Sequence, residues 1–180
     1  MRKLVVTEFV SLDGVIENPM WTMSYWNDEI AKFKGEESEA ADALLLGRVT
    51  YEGFAAAWPE RTDEASGGKF FNGVAKYVVT TTLNTAEWNN SHIIKSDVVE
   101  EISKLKQQPG RDIYVHGSGK LVQTLIQHDL IDSYRLLIYP VVLGKGQRLF
   151  EDGTTATLKL VEAQSFSSGV AALIYEPDRK

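Results

Sequence analysis

The 180-residue chain contains no cysteine, which excludes disulfides, thiolate nucleophiles and cysteine-ligated zinc. Histidine is scarce: His92, His116 and His128 are the only three, and their spacing fits no metal-ligand pattern, so no metal is expected. An excess of basic charge is missing too. Lysine and arginine number 19 against 25 acids, a formal charge of -6, and no Lys/Arg-rich stripe offers the footprint that a phosphate backbone needs. Nucleic acid is therefore not an expected partner. No apolar run approaches the ~20 residues of a membrane span, so no membrane partner is expected either. Met1-Arg2-Lys3-Leu4-Val5-Val6 starts like a secretion signal, but Thr7, Glu8, Ser11 and Asp13 interrupt it too early. The expected location is cytoplasmic.

What is present is an ordinary globular composition, 43% apolar and 24% charged, suited to a single domain over 1–180. Leu4 to Val10 is rich in β-branched residues and runs into the turn chemistry of Ser11-Leu12-Asp13-Gly14, a strand feeding a loop. The loop from Val15 to Tyr25 is aromatic enough to line a pocket. A helix is expected over Asn27 to Ala41, then a buried strand at Ala43-Leu44-Leu45-Leu46, with Thr50 capping a helix from Tyr51 to Ala57. Strands at Lys76–Thr82 and around His92-Ile93-Ile94 precede a helix over Val98–Lys106. Ile113-Tyr114-Val115-His116 then enters Gly117-Ser118-Gly119, followed by Leu121, Val122, Leu125 and Ile126 at helical spacing. After Asp129 only strands are expected: Tyr134–Val142, Thr157–Phe166 and Val170–Tyr175. The implied fold class is α/β: a mixed, mostly parallel central sheet with helices on both faces and an antiparallel C-terminal strand pair.

Two strand ends deliver glycine turns to helix starts, at Gly47-Arg48-Val49-Thr50 and Gly117-Ser118-Gly119-Lys120. Unpaired helix N–H groups and a positive dipole end suit phosphate, and glycine allows close approach. Arg48 and Lys120 add cations. Glycine could equally serve only the tight turns, and neither site completes the G-x-G-x-x-G fingerprint, so an ordinary Rossmann fold is not supported. Thr80 and Thr82 could donate hydroxyls to a nucleotide or simply build a strand end. Asp13 could meet a polar substrate edge or only shape its turn. Asp28 and Glu29 could present a carboxylate to a shielded pocket, where burial would raise its pKa toward that of a proton donor, or merely complement the helix dipole. Trp21 and Trp26 are the aromatics best placed to stack on a flat heterocycle.

Taken together these motifs resemble a known superfamily. Leu44-Leu45-Leu46-Gly47-Arg48-Val49-Thr50-Tyr51-Glu52 resembles the Gly-Arg-x-Thr-aromatic-Glu segment of dihydrofolate reductases. Ser11-Leu12-Asp13-Gly14, Ile113 to Leu121, Leu130-Ile131-Asp132 and Pro140 to Gly146 are similar to the reductase domain of riboflavin biosynthesis, which shares the dihydrofolate reductase-like three-layer fold. The resemblance implies NADPH as cofactor. It assigns Gly47, Arg48 and Thr50 to the adenosine-side phosphate, Thr80 and Thr82 nearby, and Gly117, Ser118, Gly119, Lys120 and Leu121 to the pyrophosphate. Asp13 would lie near nicotinamide and substrate, and Glu29, or Asp28 with a one-residue shift, falls near the acid of dihydrofolate reductases. His116 stands where the riboflavin-pathway domain usually has an acid, and the absent cysteines exclude a fused zinc deaminase.

The implied activity is hydride transfer from NADPH to a small heterocyclic or ribosyl-bearing substrate, most like reduction of 5-amino-6-(5-phosphoribosylamino)uracil. Dihydrofolate reduction and nucleotide binding without reductase activity are the alternatives. Related domains also imply a homodimer through the carboxyl-half strands, for which Tyr134 to Val142 offers an apolar surface.

Overall fold

The computed structural model describes residues 1–63 and 67–179. In chain order the elements are β1 (Leu4–Ser11), a 3-10 turn (Pro19–Tyr25), α1 (Asp28–Ala40), β2 (Ala41–Gly47), α2 (Arg48–Ala57), α3 (Gly68–Gly73), β3 (Ala75–Val79) and β4 (Ser91–Ile94). They continue with α4 (Val98–Gln107), β5 (Asp112–His116), α5 (Gly119–Gln127), β6 (Ser133–Tyr139), β7 (Leu158–Ser165) and β8 (Ala171–Pro177). All eight strands join one sheet in the order β4-β3-β2-β5-β1-β6-β8-β7. The first six run parallel, and β8 and β7 pair antiparallel at the carboxyl side. This is the mixed α/β architecture that the strand and helix pattern implies.

Crossover handedness distributes the helices. The chain steps one way across the sheet from β1 through β2 to β3 and β4, then steps back through β5 and β6. Right-handed crossovers therefore put α1, α2 and α3 on one face and α4 and α5 on the other. The cores follow suit. Leu4, Val6 and Val10 of β1 pack with Ile102 and Leu105 of α4 and with Leu121, Val122 and Leu125 of α5. On the opposite face, Val5, Leu44, Leu46 and Tyr114 pack with Tyr51 and Trp88, and Ile30 and Phe33 of α1 pack with Leu137 and Tyr139. Each such aliphatic side chain contributes about 1.5–3 kcal/mol on burial. Among the described residues no helix is long and apolar enough to cross a membrane.

Several expectations need correction. α2 begins at Arg48, with Gly47 at the cap position, so Thr50 lies inside the first turn and does not cap the helix. β3 ends at Val79; Thr80 keeps one amide bond to the Ile94 carbonyl of β4, and Thr81 and Thr82 have left the sheet. Tyr134–Tyr139 is not a free surface: β6 is hydrogen-bonded to β1 on one side and to β8 on the other. The edge strand at the carboxyl side is β7, where Leu160 and Val161 are half exposed. Sequence periodicity also overlooks α3, because six residues bounded by glycine are too short to show a helical repeat.

Lys76 holds α3 to the sheet. The side chain is fully buried in β3, and its ammonium donates to the carbonyls of Asn72, Val74 and Asn89 at 3.2, 2.9 and 2.8 Å. It also lies 4.2 Å from the centre of the Trp88 ring. Lys76→Met keeps the length of the stem but strands three carbonyls, and should cost about 2 kcal/mol of unfolding free energy in urea titration. An unchanged midpoint would show that these carbonyls find other partners.

Candidate functional site

In open α/β sheets, ligands bind outside the carboxyl ends of strands where successive crossovers leave toward opposite faces. That condition is met on both sides of β5, whose neighbours β2 and β1 lead to helices on the other face. Here the two glycine turns meet. Gly47 N donates to Ser118 Oγ at 2.9 Å, Ser118 N donates to Thr50 Oγ1 at 3.0 Å, and Ser118 Oγ donates to the His116 carbonyl at 2.9 Å. Gly117 and Ser118 both adopt left-handed backbone, with φ of 53° and 60°. A Cβ on Gly117 would approach Thr50 Oγ1 to 3.0 Å. Neither α2 nor α5 has a side-chain cap, so both present first-turn N–H groups and a positive dipole end at one place.

The expected cofactor residues lie along this line of strand ends, each with present occupations. Arg48 is exposed at the start of α2 and pairs with Glu52 at 2.8 Å. Lys120 is exposed on the first turn of α5, while the Leu121 side chain is buried in the core beneath it. Thr80, buried at the end of β3, accepts from the amides of Thr82 and Leu83 at 3.2 and 3.1 Å and so shapes its own turn.

Beyond β1, Asp13 is a clamp. Its carboxylate accepts from Ser11 Oγ at 2.6 Å, Leu143 N at 3.1 Å and Gly144 N at 2.7 Å. These donors, Ser11 first, lower its pKa from the ordinary 3.8 to about 2. Asp13 is an ionised acceptor that ties the first strand to the β6–β7 loop. Trp21 packs edge-on against Tyr139 at 5.5 Å and donates its indole N–H to the Glu17 carbonyl. Trp26, 48% exposed, stands edge-on to Phe9 at 6.5 Å and is the freer stacking surface of the two.

The acids of α1 behave differently from expectation. Asp28 is exposed. Glu29 turns to the β7–β8 connection, where its carboxylate accepts from Ser167 N at 2.8 Å, from Ser167 Oγ, and from Asn27 Nδ2 at 3.0 Å. These bonds, the Ser167 hydroxyl first, lower its pKa instead of raising it. Among the described residues the buried carboxyls are Glu37 and Glu8, which the motifs did not single out. Glu37 accepts from Thr7 Oγ1 at 3.0 Å, from Lys34, and from Arg135 Nε at 2.9 Å. Glu8, on the other face of β1, is 5% exposed and has one oxygen without a partner. Burial pushes its pKa well above the ordinary carboxyl range. Period-two alternation could have found Glu8, because it interrupts the inward row Leu4, Val6, Val10. His116 sits edge-on to Phe71 and tilted against Phe54, 5.6 and 6.0 Å away, and burial lowers its pKa well below the usual value, so it is neutral.

The family model of the RibD C-terminal domain matches residues 2–172. The chain belongs to that family. Uncharacterized protein YyaP of Bacillus subtilis is 33% identical over 178 residues, covering 97% of this chain and 94% of the relative. Among solved structures, the fold is similar to the deaminase/5-amino-6-(5-phosphoribosylamino)uracil reductase of Thermotoga maritima, at 14% identity and a TM-score of 0.70 over 98% of this chain and 56% of that one. It is also similar to Enterococcus faecalis dihydrofolate reductase complexed with NADP(H), at 16% identity and a TM-score of 0.66 over 98% and 97% of the two chains.

Within this RibD C-terminal domain, the Asp13 clamp makes stability depend on acid. A carboxyl with a folded pKa of about 2 against an ordinary 3.8 contributes stability that is present above the higher value and lost as pH falls through the lower. Asp13→Asn, which turns an N–H toward Gly144 N, should lower the denaturant midpoint at neutral pH. Its deficit relative to the wild type should close as pH drops through that window. Equal midpoints at pH 7 would show that Asp13 does not hold the loop.

Proposed function

We propose that this chain is an NADPH-dependent reductase acting on a small heterocyclic or ribosyl-bearing substrate. The observation that carries the reading is the meeting of two uncapped helix starts at the interlocked turns Gly47–Thr50 and Gly117–Gly119, beside the crossover switch at β5. Phosphates suit such a junction. The order of strand ends, β3-β2-β5-β1, then suits an extended dinucleotide. Thr80, Thr82 and Arg48 would take the adenosine side and its extra phosphate; Gly117, Ser118, Gly119 and Lys120 the pyrophosphate; and the end of β1 the nicotinamide.

Bound there, the cofactor would supply a hydride, two electrons with one proton, to a carbonyl or imine carbon of the substrate. The protein's part is orientation and exclusion of water. Asp13, ionised by its three donors, would accept from a polar edge of the substrate and not supply a proton. Trp26 and Phe9 offer ring edges and faces to a flat heterocycle. The proton that completes reduction would come from solvent, since Asp28 is exposed and Glu29 holds its charge through Ser167 and Asn27. The substrate class most in keeping with the family is 5-amino-6-(5-phosphoribosylamino)uracil, with dihydrofolate second.

Calorimetric titration should give tighter binding of NADPH than of NADH. Arg48→Ala should weaken NADPH by about tenfold while leaving NADH nearly unchanged, because a fork-like guanidinium contact to the extra phosphate is lost. Absorbance at the reduced-nicotinamide band should then fall on adding the ribosylaminouracil phosphate or dihydrofolate. Binding without oxidation by either would favour a nucleotide-binding protein without reductase activity, and no nucleotide binding would end the dinucleotide reading.

A homodimer completes the proposal. The outer strand β7 carries Leu160 and Val161, 50% and 54% exposed, and sheet edges with apolar side chains invite pairing. Light scattering should report a dimer for the wild type and a monomer for Val161→Lys. A monomeric wild type would remove this part of the reading.

A further inference from the structure

Glu8 is out of keeping with its surroundings. Pairing between β1 and β5 ends at Thr7 and His116, whereas pairing between β1 and β6 continues to Ser11. Glu8 is thus the first residue past a fork in the sheet. Its side chain shares a face with Val6 and Val10, which belong to the apolar cluster of Leu121 and Val122. The Gly117 N–H lies near the carboxyl, and Oε1 has no hydrogen-bond partner. The contrast with Glu37 is direct: that carboxylate, on the other face, is met by Thr7, Lys34 and Arg135. Lys34 donates to Glu37 and Thr7 rather than to Glu8. A buried polar atom with no partner is a standing cost that cores rarely carry without a use. A leucine at this position would only continue the row of Leu4, Val6 and Val10.

The free oxygen also has a chemical preference. Burial favours the uncharged acid, which leaves an O–H donor beside the left-handed turn at Gly117 and Ser118. Phosphate oxygens are served by the N–H groups of the helix start, and a phosphate at Glu8 would carry net charge into apolar surroundings. A neutral acceptor such as an amide carbonyl matches an acid O–H without that penalty. On the dinucleotide reading, on which this inference rests, the group that reaches the β1 side of the pyrophosphate is the nicotinamide, whose substituent is a carboxamide. We propose that Glu8 Oε1 is the contact that holds the nicotinamide carboxamide in the fork between β1 and β5. Glu8 is then a cofactor-binding residue that selects the nicotinamide end of the ligand.

Calorimetry on the full chain with NADPH and with 2′-phospho-ADP-ribose, the same molecule without nicotinamide, tests this in the wild type, Glu8→Leu and Glu8→Gln. Glu8→Leu should bind NADPH about tenfold more weakly, bind the fragment as the wild type does, and melt at a higher temperature because an unpaired carboxyl has left the core. Glu8→Gln, which keeps an acceptor for Gly117 and a neutral donor, should restore NADPH binding to within about threefold. Undiminished NADPH binding by Glu8→Leu, equal losses on both ligands, or failure of glutamine to rescue would each overturn the assignment while leaving the dinucleotide reading standing. A wild type that binds neither ligand would overturn both.

Discussion

Ser118 bridges two helix starts that are 71 residues apart in sequence, and the geometry at the sheet's carboxyl end depends on that bridge. Its amide is bonded to Thr50 and its hydroxyl accepts from Gly47 and donates to the His116 carbonyl. A non-glycine residue in left-handed backbone costs about 1 kcal/mol or more, and here three hydrogen bonds offset it. Because the side chain and amide of one residue fix both turns, α2 and α5 cannot shift relative to one another without breaking them. Two open dipole ends are thereby kept in register across the boundary between β2 and β5. Gly119 belongs to the same constraint, since a Cβ there would meet the Gln147 side chain at 2.7 Å, bringing the β6–β7 loop against the start of α5.

The strand and helix pattern was legible wherever the hydrophobic period was long enough. β2 and β5 read as continuous apolar runs because both faces of the sheet are covered. α5 read as a helix from Leu121, Val122 and Leu125, which do face one core. What failed to read was local. Thr50 has the side chain of a cap, but its hydroxyl is used across the fold by Ser118, a contact that residue type cannot announce. Thr81 and Thr82 continue the β-branched run of β3 in composition, while Thr80 folds back on the amides of Thr82 and Leu83 and ends the strand.

Carboxyl chemistry was the least legible part, for a reason that is physical. An acid is identified as a proton donor or acceptor by its surroundings, and those come from distant segments. Glu29 and Asp13 look available in sequence, yet Ser167 and Gly144, more than 130 residues away, stabilise their charges. Glu8 and Glu37 stand among strand and helix residues that suggest no chemistry, and tertiary packing buries both. Only Glu8 left a trace, as an acid in an inward-facing row. The signal lies in the alternation of the strand, not in any motif.

The four carboxyls differ in how the fold meets their charge. Asp13 and Glu29, each met by hydrogen-bond donors, remain charged and act as anchors for loops from the carboxyl half, so they shape the entrance from the first strand and the first helix. Glu37 is matched by two cations and a hydroxyl, so its charge is internal to the fold and joins α1 to β1 and β6. Glu8 alone lacks such matching. On the proposed assignment, the nicotinamide carboxamide would supply the partner that the fold withholds. The position of Glu8 past the last pairing of β1 with β5 is also where the sheet opens. The open fork and the unpaired acid within it therefore raise the same structural question, and one ligand group can answer both.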